Sequence, residues 1–381
     1  MNLVLDTEST TYAKGNPFSR ANKLMCVGLL HDGYYMYYDI EHSGLPYNEA
    51  LGRIAQAIER AELIIGFNIK YDLHWIRRYI PSITSFPPCW DCQLAEFILN
   101  NQTTPMPSLD SCAIRYGLPP KLDTVDREYW SKGIDTTNVP TSILKEYNRR
   151  DCQLTLEVYE KQKQRMSYKQ RKLFSLHCAD LLVLEEMEYR GLLYNTKSSL
   201  EKAQEVGQEL LETILALNEL VGTDQINWNS PQQVSAVLYG GTINVEGQEE
   251  VSKPRKDGTI RVYQRKCTNP LSFERLVEPL DGSALQVGFS INEPTLRSLK
   301  PTGKASKIIE LILKQSELDK LNGTYYTGIP NLIEKMDWEL DTIHGQLNQC
   351  VARTGRLSSS RPNMQNFDER LKPMFRSRHV D

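Results

Sequence analysis

Residues 2–9 (NLVLDTES) alternate apolar and polar positions with period two, which predicts a half-buried strand. Residues 23–30 (KLMCVGLL) and 34–40 (YYMYYDI) are β-rich runs joined through His31-Asp32-Gly33, a hairpin signal. Helical spacing over residues 47–61 (YNEALGRIAQAIERA) leads into a short buried strand at 63–67 (LIIGF). Asn68 then stands where an N-cap would start the helix of IKYDLHWIRRY. The predicted order is βββαβα. Further capped helices are expected at Asp91 and Ser108, and Pro140-Thr141 opens a long helix running through the region of Lys172. These elements fit one mixed α/β domain over residues 1–172.

From Leu173 to Val221 apolar residues recur at helical spacing, interrupted at Gly191 and Asn195, which predicts helices around one short extended turn. Residues 229–239 (NSPQQVSAVLY) form another capped helix that Gly240-Gly241 stops. Residues 242–298 change character: β-prone stretches flank Asp257-Gly258 among prolines and many charges, the pattern of an inserted hairpin or arm. Helical spacing returns from Ser306 to Met336, and residues 343–352 (IHGQLNQCVA) read as a strand. The expected organisation is an α/β domain over 1–172, a mostly helical domain over 173–340 with an arm at about 242–298, and a partial third domain over 341–381.

A length of 381 residues suits two or three domains, and 40% apolar with 24% charged residues is ordinary globular usage. No apolar run approaches the roughly 20 residues that span a bilayer, and the first residues lack the pattern of a signal peptide, so a cytoplasmic protein is expected. With 45 basic and 48 acidic residues, the net charge of −3 excludes a uniformly basic nucleic-acid binder but leaves local patches open. Two such runs exist, Lys161–Lys172 and Lys253–Lys266, each with six Lys or Arg, the second opposed by Asp257 alone. The eight scattered cysteines read as free thiols. The Cys89/Cys92 pair lacks the second pair that zinc would need.

The informative residues are acids that local pattern places on buried faces. Along the long helix the apolar stripe runs Ile143, Tyr147, Asp151, Leu154, Val158, so Asp151 faces the core. Asp6 and Glu8 share one face of the first strand, and Asp72 lies in the first turns of a helix that follows a buried strand. Four carboxylates from three elements stay ionised together if divalent cations neutralise them, and oxygen donors suit Mg²⁺. Two such ions activate a water and stabilise a leaving oxygen in phosphodiester cleavage, and the Tyr147 hydroxyl, one turn before Asp151, is placed to hold that water. The plainer alternatives are that Asp72 pairs with Arg77 or Arg78, that Asp151 pairs with Arg149 or Arg150, and that Asp6 and Glu8 cap a turn.

LDTEST, NIKYD and YNRRD resemble, in this order, the DxE, NxxxD and YxxxD motifs of the DEDD proofreading exonucleases with a ribonuclease H-like fold. The motif aspartates are 66 and 79 residues apart (6 to 72, 72 to 151), and the Tyr places the chain in the tyrosine subclass. The resemblance implies that Asp6, Glu8, Asp72 and Asp151 bind two Mg²⁺ ions, with Mn²⁺ able to substitute, that Tyr147 orients the water, and that Asn68 lies beside the substrate strand. NSPQQVSAVLY and SELDKLNGTYYTGIPNL look like thumb helices of family A (polymerase I type) DNA polymerases. RTGRLSSSRPNMQN resembles that family's primer–template motif, which implies DNA contacts from Arg356, Gln365 and Asn366. Arg361 departs from the family, which often has an acid or a small residue there.

Gly355, one Arg and three consecutive Ser within Thr354–Ser360, including Ser358 and Ser359, suit close approach to a phosphate backbone. The basic arm residues Lys253, Arg255 and Lys256 are further candidate contacts. The family's polymerase catalytic motifs, DYSxxE, the fingers helix and HDE, do not occur in the sequence, which ends at MFRSRHVD. The resemblance therefore implies a ribonuclease H-like exonuclease domain, a thumb and an incomplete palm from a phage-like, split or truncated polymerase. Its expected partners are a single-stranded 3′ end and primer–template duplex DNA, a second polypeptide carrying the remaining palm and fingers, and a candidate processivity factor, in the host cytoplasm if the source is viral. The rival readings are an RNA exonuclease of the ribonuclease D kind and a non-catalytic DNA-holding subunit.

Overall fold

The structure, a computed structural model, describes residues 1–40, 46–254 and 260–378. Along the chain come strands β1 (Asn2–Ser9), β2 (Leu24–His31) and β3 (Tyr34–Asp39), helix α1 (Tyr47–Glu59), β4 (Leu63–Gly66), α2 (Ile69–Tyr79) and β5 (Cys89–Asp91). Then follow helices α3 (Cys92–Leu99), α4 (Leu109–Tyr116), α5 (Thr124–Glu128), α6 (Thr141–Arg165) and α7 (Tyr168–Arg190), and β6 (Leu192–Tyr194). The second half holds α8 (Thr196–Val221), α9 (Pro231–Tyr239), β7 (Gly241–Pro254), β8 (Ile260–Phe273), α10 (Glu293–Ser298), α11 (Gly303–Lys320) and α12 (Gly328–Lys335). Four short strands follow, β9 (Thr342–Ile343), β10 (Gln346–Asn348), β11 (Ser358–Ser360) and β12 (Phe375–Arg376). Two compact units result, Met1–Thr196 with Pro330–Asp381, and Lys197–Ile329.

The first unit is built on a five-stranded sheet in the order β3-β2-β1-β4-β5, with β1–β2 and β2–β3 antiparallel and β1–β4 and β4–β5 parallel. Asp32 and Gly33 both have positive φ, 48° and 81°, the backbone of the tight turn that joins right-twisted strands. Alternation along β1 sends Leu3 and Leu5 into a core with Ile54, Ile69 and Leu73, and Val4 into a core with Cys152, Leu154 and Val158 of α6. Asp6 and Glu8 follow Val4 in period two, so the α6 side of the sheet receives them.

The helix expected to run unbroken from residue 141 through the region of Lys172 is instead two. Met166 is buried in extended backbone, and Ser167 starts α7 with a reciprocal cap to Gln170. Asn68 occupies the N-cap position of α2 with left-handed backbone and makes no side-chain cap; Asp91 Oδ2 accepts from the Ile69 N–H at 2.9 Å instead. The single strand expected over residues 343–352 is interrupted at His344-Gly345: β9 pairs with β6 in the sheet β12-β6-β9, and β10 pairs with β11.

The second unit has its own core of Leu217, Trp228, Val234, Leu238, Ile308 and Ile312. From it extends a two-stranded ribbon in which β7 and β8 pair residue for residue from Gly241–Phe273 to Pro254–Ile260. Apart from Ile243 and Val245 near its base, its side chains are exposed or half-buried. The arm expected over 242–298 is thus a long ribbon only as far as Phe273; beyond it Leu276, Val277, Phe289 and Ile291 pack against the core of the unit. Arg255, Lys256 and the Asp257-Gly258 signal lie outside the described residues.

Candidate metal centre

β1 and α6 bring Asp6, Glu8 and Asp151 together, with one carboxylate oxygen of each within 4.8 Å of the others. Glycine makes the approach of α6 over the sheet feasible: a Cβ on Gly28, opposite Asp6, would lie 1.8 Å from Asn148 Oδ1. Through that gap Asn148 Nδ2 donates to Asp6 Oδ2 at 2.7 Å, while the Tyr35 hydroxyl donates to Asn148 Oδ1 at 2.8 Å. Asp72 stands next to this trio on α2. Its Oδ1 accepts from the backbone N–H and hydroxyl of Thr7, at 3.0 and 2.6 Å, which ties it to the strand residue between Asp6 and Glu8.

The local ion pairs that could have explained these acids are absent among the described residues. Arg77 is bound to Glu185, Arg78 donates to the carbonyls of Pro17 and Ser19, Arg149 pairs with Glu146, and Arg150 holds Glu157 and the carbonyls of Pro119 and Pro120. Among the described residues one cation pairs directly with the cluster, Lys121, whose Nζ is 3.3 Å from Asp151 Oδ2, while Arg150 acts on Asp151 through its charge without an ion-pair contact.

Burial is the first cause that pushes Asp6 and Glu8 well above the usual carboxylate range. Repulsion from Glu8, Asp72 and Asp151 adds to it at Asp6, and repulsion from Asp151 and Asp72 adds to it at Glu8. Burial likewise raises Asp72 to about 7 against its Thr7 hydrogen bonds, and raises Asp151 against the pull of Lys121. The Tyr147 phenol is raised by burial and then by Glu8 and Asp151, so it stays protonated. Its ring meets Trp130 edge-on at 5.6 Å.

The donor set fits divalent cations. All of it is carboxylate oxygen, and Asp151 Oδ1 is buried with no hydrogen-bond partner, an arrangement that costs free energy unless a cation completes it. Cavities of about 290 and 590 Å³ flank the cluster: Thr7, Glu8, Ser9 and Tyr71 line the first, Lys121, Asp123 and Tyr147 the second, and Trp130 both. Three participants lacked a clear sequence signal. Asn148 was legible only as the residue three before Asp151, on the same helical face. Thr7 was hidden between the two motif acids, and Lys121 sits in a loop after Pro119-Pro120 with no periodicity to mark it.

The remaining candidates are dispersed. Asn68 is exposed at the start of α2. Arg356 is exposed in the turn after Gly355, which has a φ of 74°. Ser358 is half-buried on β11, opposite Asn348. Ser359 is a correction to a direct phosphate contact: it is buried, its hydroxyl donating to the Pro362 carbonyl and accepting from the Met364 N–H. Gln365 is exposed and donates to the Leu357 carbonyl, Asn366 is exposed beside it, and Lys253 is exposed on the ribbon.

Residues 268–380 match the family model described as DNA polymerase family A. The chain is similar to DNA polymerase I of Synechocystis sp., 28% identical over 284 residues that cover 73% of this chain and 24% of that protein. It is also similar to DNA polymerase I of Bacillus subtilis, 26% identical over 74% of this chain and 27% of the relative. The thermostable DNA polymerase I of Thermus aquaticus is 38% identical over 35% of this chain and 16% of that protein. The chain thus spans about a quarter of the length of the first two relatives. Among solved structures, the POL domain of Pol1 from M. smegmatis, in complex with DNA primer-template and dNTP, shares the fold with a TM-score of 0.65 at 19% identity, over 97% of this chain and 53% of that one.

Proposed function

We propose, for a chain whose residues 268–380 match the family A DNA polymerase model, that its N-terminal α/β domain is a metal-dependent 3′–5′ exonuclease that proofreads DNA. One observation carries this reading: Asp6, Glu8 and Asp151 converge within 4.8 Å with Asp72 alongside, while the arginines nearest in sequence are bound elsewhere. The domains proposed are a ribonuclease H-like exonuclease over 1–172, a thumb over 173–340 and a partial palm over 341–381, although the compact units divide at Thr196/Lys197 and Ile329/Pro330 because Phe174, Cys178 and Leu181 of α7 belong to the first core.

Asp6, Glu8, Asp72 and Asp151 would hold two Mg²⁺ or Mn²⁺ ions, which when bound activate a water and stabilise the leaving oxygen of a 3′-terminal phosphodiester. The chain's own groups do the positioning. Asn148 fixes the Asp6 carboxylate, Thr7 fixes that of Asp72, and Tyr147, protonated and braced by Trp130, offers a hydroxyl to the attacking water. Asn68 lies on the proposed path of the strand.

Arg356, Gln365 and Asn366 would hold the duplex, with Ser358 beside them and Ser359 shaping the turn. The ribbon register puts Lys253, Arg261 and Tyr263 on one face, with both Lys253 and Arg261 over the Tyr263 ring, while Arg265 further along that face is paired with Glu249 at 2.7 Å; phosphate fits the basic and aromatic end formed by the first three. Arg255 and Lys256, outside the described residues, are proposed contacts on the sequence alone.

The test is digestion of a 5′-labelled single-stranded DNA. Stepwise shortening from the 3′ end with Mg²⁺ or Mn²⁺, abolished by chelator, is expected. No digestion, or digestion of RNA in preference to DNA, would defeat the reading.

A further inference from the structure

We infer that Lys121 is a built-in counter-ion of the carboxylate cluster, an ammonium that holds the acids together until divalent cations displace it. The inference rests on the metal-dependent reading above and adds a residue that none of the motifs includes. Its Nζ is 3.3 Å from Asp151 Oδ2, longer than the roughly 2.7–2.9 Å of a strong charge-assisted bond, and 4.9 Å from the centre of the Tyr147 ring. The ammonium is therefore held loosely between an acid and a π face, a grip that a doubly charged ion competes with well.

Its backbone is held firmly. Arg150, one residue before Asp151, donates to the carbonyls of Pro119 and Pro120, so the helix that supplies the acid also clamps the loop that supplies its cation. Lys121 lines the 590 Å³ cavity beside Tyr147 with a side chain 27% exposed, so the head has somewhere to go when it leaves. While Oδ2 is bound to Lys121 and Oδ1 is unpartnered, Asp151 presents one free and one replaceable oxygen. An incoming cation must overcome the ammonium's repulsion or move it. Lys121 therefore weakens metal affinity while easing repulsion among the acids.

Replacement of Lys121 by methionine keeps the stem against Tyr147 and removes the charge. In the full chain, calorimetric titration with Mn²⁺ in two buffers of different ionisation enthalpy separates metal binding from proton release. The dissociation constant of Lys121→Met should fall about tenfold, which is roughly 1.4 kcal/mol, and its melting temperature without divalent ions should drop. Lys121→Arg should stay near the unaltered chain. Unchanged or weaker Mn²⁺ binding in Lys121→Met overturns the counter-ion role and leaves the lysine a structural partner of Asp151. Lys121→Gln repeats the titration should the methionine variant unfold. Absence of Mn²⁺ binding by the unaltered chain defeats the nuclease reading itself, and this inference with it.

Discussion

Two groups of buried acids lie in the same compact unit, and they differ in what faces them. Glu185 and Glu188 on α7 each face basic groups: Arg77 forks onto Glu185, the His74 ring lies between the two acids, 2.9 Å from Glu188 and 3.3 Å from Glu185 without a hydrogen bond to the latter, and Lys70 is 2.6 Å from Glu188. Glu188 also accepts the Leu347 N–H, while Lys70 donates to the Leu347 carbonyl. Although burial opposes it, these partners hold both glutamates below the usual carboxylate range. Glu8, Asp72 and Asp151 are buried as well and Asp6 is half-buried; among the described residues the four share one ammonium, and all are pushed upward. A buried acid whose partners are complete is part of the framework. Acids crowded on one another with a bare oxygen have been left for something outside the chain.

The largest expected effect breaks the two groups apart by activity. Asp6→Asn removes a proposed ligand and should cost a factor of about 10³ in DNA digestion, with the melting temperature unchanged or higher because one repelling charge is gone. Digestion rates and thermal melts of the same preparation check both halves. A strong loss of stability would mean that Asp6 is framework after all.

Glu188→Ala should do the reverse. It leaves Lys70 and His74 facing a buried gap and frees the Leu347 N–H, so a loss of about 3–5 kcal/mol of stability is expected in urea unfolding. Any loss of activity should follow the folded fraction.

The third effect separates the groups by pH. Asp72, raised to about 7, binds a proton in the folded protein that the unfolded chain releases near pH 4. Its contribution to stability is present at low pH and declines as pH rises from about 4 through 7. The depressed Glu185 and Glu188 contribute above the ordinary glutamate value and lose that contribution as pH falls through their lower folded values. Without divalent ions the melting temperature should therefore be lower at pH 8 than at pH 6. At pH 8, Mn²⁺ at a hundred times its dissociation constant should add about 2.7 kcal/mol. Asp72→Asn should flatten the decline, and Mn²⁺ that leaves the pH 8 melt unmoved would count against a cation site.

How much of this contrast the sequence carried depends on whether each feature was local. Asp6 and Glu8 were legible because period two fixes their common face, and Asp151 because it interrupts an apolar stripe at helical spacing. The matched group was invisible, since Arg77 meets Glu185 across 108 residues and no spacing rule connects them. Lys121 was missed for the same reason. The break at Met166 did have a signal, the Ser167-x-x-Gln170 box, which the expectation of one helix through the region of Lys172 passed over. The ribbon's existence followed from β-prone runs around a turn, whereas its reach did not. Strands exposed on both faces carry little alternation, and only backbone pairing sets where they end.

The smallest expected effect tests the contrast at its weakest point. Arg149 and Arg150 immediately precede Asp151, and simple proximity in sequence would make either one its counter-ion. Helical geometry argues otherwise for Arg149, because side chains two apart on a helix point to different faces. Arg149 binds Glu146 on the exposed face instead, its two nitrogens 2.9 and 2.6 Å from that carboxylate. An exposed pair of this kind is worth little. Arg149→Ala should therefore change stability by less than about 0.5 kcal/mol and leave Mn²⁺ affinity and digestion within about twofold. Arg150 cannot serve as this control, because it clamps the loop that carries Lys121. If Arg149→Ala instead tightens Mn²⁺ binding as strongly as Lys121→Met does, the charge felt at Asp151 is a diffuse property of the helix. The cluster would then have no counter-ion of its own, and its contrast with the matched group would lose its sharpest term.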